Sequence, residues 1–333
     1  MTEMRTKTCL PFLLFLLILC VPAVAKAQST TVNLTVTTDK QAYYGFSPVN
    51  LSGALQCNGA AVSDGLVGLQ IQDSQGNVVV IRTLMTGAST PSSLPCQISS
   101  AYLSDMSGNS QSSIEAGNLA YFTINLINNG KVAQSMLVTI NLYDSDGIPI
   151  GEISEQCSLL ADTNGAAILS IQIPAWARTG TANGYADIYS NWPSNGGVPI
   201  SLEQPFQFAI TNGLNSIGNI SSSNGNQGTY SLTFRLPTMG PVDANYTVYA
   251  STSYSGTTVT KSTSFNSQFG DFNGDGVVDS TDFFIFANAF ISAAEGNTNY
   301  CQLCDMTQSG TVNSQDFFIF LNCFITYWSA SQN

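Results

Sequence analysis

The chain has 333 residues, of which only 9% are charged, with a formal net charge of −12 and no histidine. The missing histidine removes the Ser-His-Asp and Cys-His arrangements and the commonest zinc ligand, and 9 Lys and Arg against 21 Asp and Glu leave no basic patch for nucleic acid or an anionic membrane. A chain of this length allows two or three domains and a small extra module. Arg5 and Lys7 precede an apolar run from Leu10 to Val21, and Ala23, Ala25 and Ala27 supply small-residue cleavage positions. Residues 1–27 therefore read as a secretory signal peptide. The run is short for a bilayer span and no second one follows, so the mature chain is expected to cross no membrane and to be secreted or held at a cell surface.

From Thr31 the sequence Thr31-Val-Asn-Leu-Thr-Val-Thr37 alternates apolar and polar residues as a half-buried strand does. Val49-Asn-Leu-Ser-Gly53 follows, and then Leu66-Val-Gly-Leu-Gln-Ile71 and Val78-Val-Val-Ile-Arg-Thr83 are parted by a turn at Ser74-Gln-Gly76-Asn77. These runs resemble the first half of a macroglobulin-type immunoglobulin-like domain, a family whose later strands carry Gly-x-Tyr, Leu-Pro and Tyr-x-Val patterns. None of these follows Thr86-Gly87. They stand at Gly228-Thr-Tyr230, Leu236-Pro237 and Tyr246-Thr-Val248. The resemblance implies one sandwich assembled from residues 28–95 and 213–268 and interrupted by an insertion, which a loop tip tolerates because domain termini often lie close together. Three sandwiches in a row is the competing layout.

Within residues 96–212, the runs Ile98-Ser-Ser-Ala-Tyr102, Tyr121-Phe-Thr-Ile-Asn-Leu-Ile-Asn128-Asn129-Gly130, Val138-Thr-Ile-Asn-Leu-Tyr143 and Ala166-Ala-Ile-Leu-Ser-Ile171 again alternate. This segment is similar to the CARDB family of adhesion-related immunoglobulin-like domains. Trp176 and Trp192 stand in it, the latter in a polar loop, where it can either stack on a sugar ring or close the core. Glu115, Glu152, Glu155, Asp187 and Glu203 are the acids available to a glycosidase pair. No spacing sets two of them apart, and solvated surface positions are expected for all.

The tail is the part of the sequence with the most chemistry. Asp271, Asn273, Asp275, Val277, Asp279 and Asp282 occupy positions 1, 3, 5, 7, 9 and 12 of a calcium loop, with Gly276 at the bend. Phe283, Phe286 and Phe290 then fall on one helical stripe. The unit returns 34 residues later (305 minus 271) as Asp305, Thr307, Ser309, Thr311, Asn313 and Asp316, with Gly310 at the bend and Phe317, Phe320 and Phe324 behind. Two such units in register resemble a dockerin, the paired calcium-loop module that plugs into cohesin domains. The resemblance covers about 271–325 of the chain and also implies aspartate at loop position 12, where other EF-hands carry glutamate. It further implies that the polar pairs Ser280-Thr281 and Ser314-Gln315 face the partner. A solitary calcium-stapled hairpin without a partner is the alternative.

The fold class expected is mainly β, with two immunoglobulin-like β-sandwiches, one inserted in the other, and a small α-helical dockerin-like tail over 269–333. Two Ca2+ sites are expected, the second weaker because it offers two carboxylates where the first offers four. The function expected is non-catalytic: the tail docks to a cohesin-type partner while the sandwiches serve adhesion or binding. The alternative is a carbohydrate-binding module, with polysaccharide as its ligand, and a hydrolase subunit comes third. Six cysteines remain beyond the signal segment, and an even number in an exported chain favours disulfides. A bridge from Cys301 or Cys304 to Cys323 is expected, and Cys96 with Cys157 is plausible. Cys301-Gln-Leu-Cys304 also matches a redox pair.

Overall fold

The structure is a computed structural model, and it describes residues 30–44, 48–216, 218–220, 226–236, 244–268, 270–273, 278–297, 301–306 and 309–331. The expected signal peptide lies outside them. Strands β1 (Val32–Thr38), β2 (Ala42–Tyr44), β3 (Pro48–Cys57), β4 (Ala60–Ala61), β5 (Leu66–Gln72) and β6 (Val78–Met85) come first. The middle of the chain forms β7 (Cys96–Ser104), β8 (Ser113–Glu115), β9 (Leu119–Asn128), β10 (Gln134–Tyr143), β11 (Pro149–Leu159), β12 (Thr163–Gln172), β13 (Gly180–Tyr189) and β14 (Gln204–Thr211). Then come β15 (Thr229–Arg235), β16 (Ala244–Tyr254) and β17 (Thr257–Gln268), followed by helices α1 (Ser280–Ala294) and α2 (Ser314–Ser331). The fold is mainly β, and none of its described helices is long and apolar enough to cross a membrane.

Strand pairing does not follow chain order. One sheet runs β1-β3-β15, with β4 on β3, and another runs β2-β17-β16-β5-β6. Their facing apolar residues share one core, in which Leu34 and Leu51 meet Val67, Val248 and Phe265. The sheets β12-β9-β7 and β11-β10-β13-β14-β8 close over a separate core around Phe122, Ile140, Ile188 and Phe208. Both pairs are sandwiches built on the two-residue alternation of their strands. Strand β5 departs from that alternation, since Leu66 to Ile71 are all buried. One face of β5 meets its own core, and the other meets the second sandwich, where Gln70 accepts the Ser194 N–H at 2.9 Å.

The first sandwich takes β15 onto β3 from Thr229–Ala54 to Arg235–Pro48, and β16 onto β5 from Thr247–Gln72 to Ser251–Gly68. Strands begun before residue 86 are thus completed by strands after residue 228. At the joint, the Gly228 N–H donates to the Thr86 carbonyl at 2.6 Å, and the Leu55 N–H donates to the Gly228 carbonyl at 2.9 Å. Gly228 sits at φ +79°, and a Cβ there would lie 2.5 Å from Ala61, so only glycine fits where the returning chain presses on β4. The Thr86 hydroxyl, fully buried, donates to the Val62 carbonyl at 2.6 Å and accepts the Gly65 N–H at 3.1 Å.

Candidate functional site

Helix α1 begins at Asp279, whose carboxylate accepts the Thr281 N–H at 2.7 Å while Asp282 accepts the Asp279 N–H at 2.9 Å. This reciprocal cap holds the first helical turn. Asp282 also accepts the N–H groups of Phe272 at 2.7 Å and Asn273 at 3.2 Å, so one buried carboxylate ties the start of the loop to the start of the helix. The second unit repeats the device. Asp316 accepts the Asn313 N–H and Asn313 accepts the Gln315 N–H, both at 2.8 Å. Asp305 closes its own loop by accepting the N–H groups of Ser309 at 2.9 Å and Gly310 at 2.7 Å.

The second loop draws four of its six expected ligands together. The Ser309 hydroxyl donates to the Thr311 carbonyl at 3.0 Å and lies 3.4 Å from Asp305, while the Asn313 amide donates to Ser309 at 3.1 Å and to the Thr311 carbonyl at 3.2 Å. These are loop positions 1, 5, 7 through its carbonyl, and 9, and Thr307 lies outside the described residues. In the first loop Asp275 and Val277 lie outside them, and Asp271, Asn273, Asp279 and Asp282 are described. Asp271, Asp282, Asp305 and Asp316 are all buried, and no Lys or Arg follows Lys261. Burial holds the Asp305 carboxyl above the ordinary carboxylate range, against the pull of the Arg178 guanidinium. Oxygen-only donors and buried carboxylates fit a hard divalent cation such as calcium.

The helices pack about an approximate two-fold axis. Phe286 stacks on Phe320, its counterpart 34 residues on (320 minus 286), with centroids 5.0 Å apart and planes at 6°. The flanking contacts come in exchanged pairs, Phe283 with Phe320 at 6.3 Å and Phe317 with Phe286 at 6.1 Å. Val278 and Val312 are buried alike. Outward-facing residues repeat too, with Phe284 at 64% exposure and Phe318 at 63%, and Ile291 at 55% and Ile325 at 56%. Ser280, Thr281, Ser314 and Gln315 are exposed at the helix starts.

Two sequence expectations are corrected. Asp187 and Glu203 are not solvated surface acids, because the structure brings them together at the junction of the two sandwiches. Glu203 accepts two hydrogen bonds from the Arg82 guanidinium, each at 2.7 Å, and a third from the Thr83 N–H at 3.2 Å. Arg82 lies 3.3 Å over the centre of the Tyr185 ring. Asp187 is fully buried beside them, and burial, with the Glu203 charge next, raises its pKa well above the usual range. A carboxyl sealed in this way and a carboxylate neutralised by arginine do not flank a sugar. Sequence reading missed this centre because its residues are far apart in the chain, with Arg82 the one charge in an otherwise largely apolar strand.

The second correction concerns the cysteines. Cys57, Cys96, Cys157, Cys301 and Cys304 are thiols, and Cys301 lies beside Cys304 where a bridge to Cys323 was expected. The Cys323 side chain lies outside the described residues. The Cys304 contact draws the Cys301 thiol down to about 6. Trp192, whose role the sequence left open, packs in a small cluster with Ile81, Leu137 and Tyr189.

No curated protein matches the chain. Similar solved structures include the C-terminal domain of wzt, at 12% identity over 39% of this chain and 83% of that one, with a TM-score of 0.31. Another is a CARDB domain from Pyrococcus furiosus in complex with di-metal ions, at 14% identity, 35% and 92% coverage and a TM-score of 0.24. A third is a β-glucosidase from Erythrobacter marinus, at 12% identity, with 35% of this chain against 16% of that one and a TM-score of 0.27. Likenesses of this strength carry no argument about what the chain does. For the tail, the repeated loops, caps and paired phenylalanines agree with the family comparison: residues 269–322 match the model of the dockerin type I domain, and this tail is dockerin-like.

Proposed function

We propose that the chain is a non-catalytic, exported docking protein whose tail binds calcium at two loops and, so ordered, plugs into a cohesin-type partner, while the two sandwiches serve adhesion or binding. The observation that carries the reading is the second loop, where Asp305, Ser309, the Thr311 carbonyl and Asn313 already converge, beneath a helix pair that matches a dockerin type I domain. The first loop, with Asp271, Asn273, Asp275, Val277, Asp279 and Asp282, is the tighter site, because its extra carboxylates repel one another until a cation arrives. The partner meets Ser280, Thr281 and Phe284 on α1, or their counterparts Ser314, Gln315 and Phe318 on α2. Packing of Trp192 against Ile81, Leu137 and Tyr189 weighs against the carbohydrate-binding alternative. We also infer that 28–95 with 213–268 form one domain and 96–212 an inserted one, supported by the pairing of β15 and β16 across the gap.

The test is binding of the full chain to a panel of purified cohesin domains in calcium and in chelator. Calcium-dependent binding to one of them, weakened at least tenfold by Phe284→Glu together with Phe318→Glu, is expected. Calcium uptake with no cohesin bound would reduce the tail to a metal-stapled hairpin. Helical content indifferent to chelator would remove the calcium reading.

A further inference from the structure

Cys301 and Cys304 bracket the turn that leads into the second loop. The Cys304 N–H donates to the Cys301 carbonyl at 3.1 Å, and a turn closed in this way holds its end Cα atoms within about 7 Å. A disulfide spans about 4.4–6.8 Å between Cα atoms, so this backbone needs little movement to accept one. The two thiols are close enough to act on each other. Their surroundings differ: Cys304 is fully buried in the core that holds Phe286 and Phe320, whereas Cys301 packs at its margin and is only partly buried. Neither belongs to the calcium loops, whose donors are oxygens. An accessible thiol backed by a sealed one three residues on is suited to attack an incoming disulfide and then resolve it.

We propose that Cys301 and Cys304 are a redox-active dithiol whose oxidant is a low-molecular-weight disulfide. The Cys301 thiolate attacks one sulfur of RS–SR, that bond breaks, and RS⁻ leaves and takes up a proton, forming a Cys301–SR mixed disulfide. Cys304 then gives up its proton and its sulfur attacks the Cys301 sulfur, expelling the second RSH and closing the Cys301–Cys304 bond. Two electrons pass to the oxidant, which departs as two thiols, and excess thiol reverses the sequence. Closure turns a non-covalent contact at the tail core into a covalent tie directly ahead of Asp305.

The full-length protein is equilibrated with reduced and oxidised glutathione over a range of ratios, quenched with acid, alkylated, cut before aspartate with endoproteinase Asp-N and mapped by mass spectrometry. The peptide containing both residues is expected to pass from doubly alkylated to a form lacking two hydrogens, in a single two-electron transition. Cys304→Ser should trap glutathione on Cys301, and Cys301→Ser should leave Cys304 unmodified. Two alkylated thiols at every ratio, or either residue bonded to any other cysteine, would overturn the proposal. The wild-type map decides this even if a variant fails to fold.

Discussion

At the residue scale, two contacts tie distant parts of the chain together. The Tyr230 hydroxyl donates to the Thr35 carbonyl at 2.5 Å, and its ring crosses Gly53 so closely that a Cβ there would lie 2.1 Å from the Thr35 carbonyl and 2.3 Å from the ring. Gly53→Ala should therefore cost about 3 kcal/mol, the upper end of overpacking, read as a lower urea midpoint with unchanged slope. At the junction, Glu203→Gln strands a buried guanidinium and should cost about 3–5 kcal/mol. Asp187 gives a pH dependence. Its folded pKa is raised by burial and by Glu203, so its stabilising contribution is complete below about pH 4 and is lost as pH rises towards the folded value. The slope is about 1.4 kcal/mol per pH unit for this one group. Denaturation between pH 5 and 8 should show that fall in the wild type and a flatter curve in Asp187→Asn.

At the scale of elements, two hairpins and the β7–β8 connection share one turn. Asp73, Asp105 and Asp144 each accept the N–H groups two and four residues on, at 2.8–3.0 Å, and Gly76, Gly108 and Gly147 take the positive φ in each. Such turns are legible in a sequence because their chemistry is local, and so are the caps at Asp279 and Asn313. The Arg82 centre was not, since Arg82, Asp187 and Glu203 meet only once two sandwiches are docked, and no residue in the window around each announces the others. Trp192 stayed open for the same reason: a polar loop in sequence covers an apolar patch in space. Among the local devices Asp282 does the most, accepting three backbone N–H groups. On the calcium reading proposed above, Asp282→Ala should abolish most of the calcium-induced gain in far-UV helical signal in the full chain, whereas Ser309→Ala, which removes one neutral oxygen from the second loop, should lower it only in part.

At the scale of the molecule, β15 reaches β3 and β16 reaches β5 from far downstream, a pairing that alternation alone does not specify and that only the displaced Gly228-Thr-Tyr230 pattern hinted at. If 28–95 and 213–268 are one domain, a chain joining them through a short Gly/Ser linker should unfold in one cooperative step, and 96–212 should fold alone. A stable isolated 213–268 fragment would restore the tandem layout. The bond between the Gly228 N–H and the Thr86 carbonyl also has a mechanical meaning. With the tail docked and the amino end held, tension runs through the outer sheets, while the inserted sandwich hangs from two ends already fastened to each other and carries no load. Pulled in a force spectrometer, the insert should stay silent until that fastening gives way. The 141 residues between the two positions (228 minus 86 minus 1) then come into the line of force, and their full extension releases roughly 480 Å of slack, a reserve that would absorb a pull before a docked tail is torn from its partner.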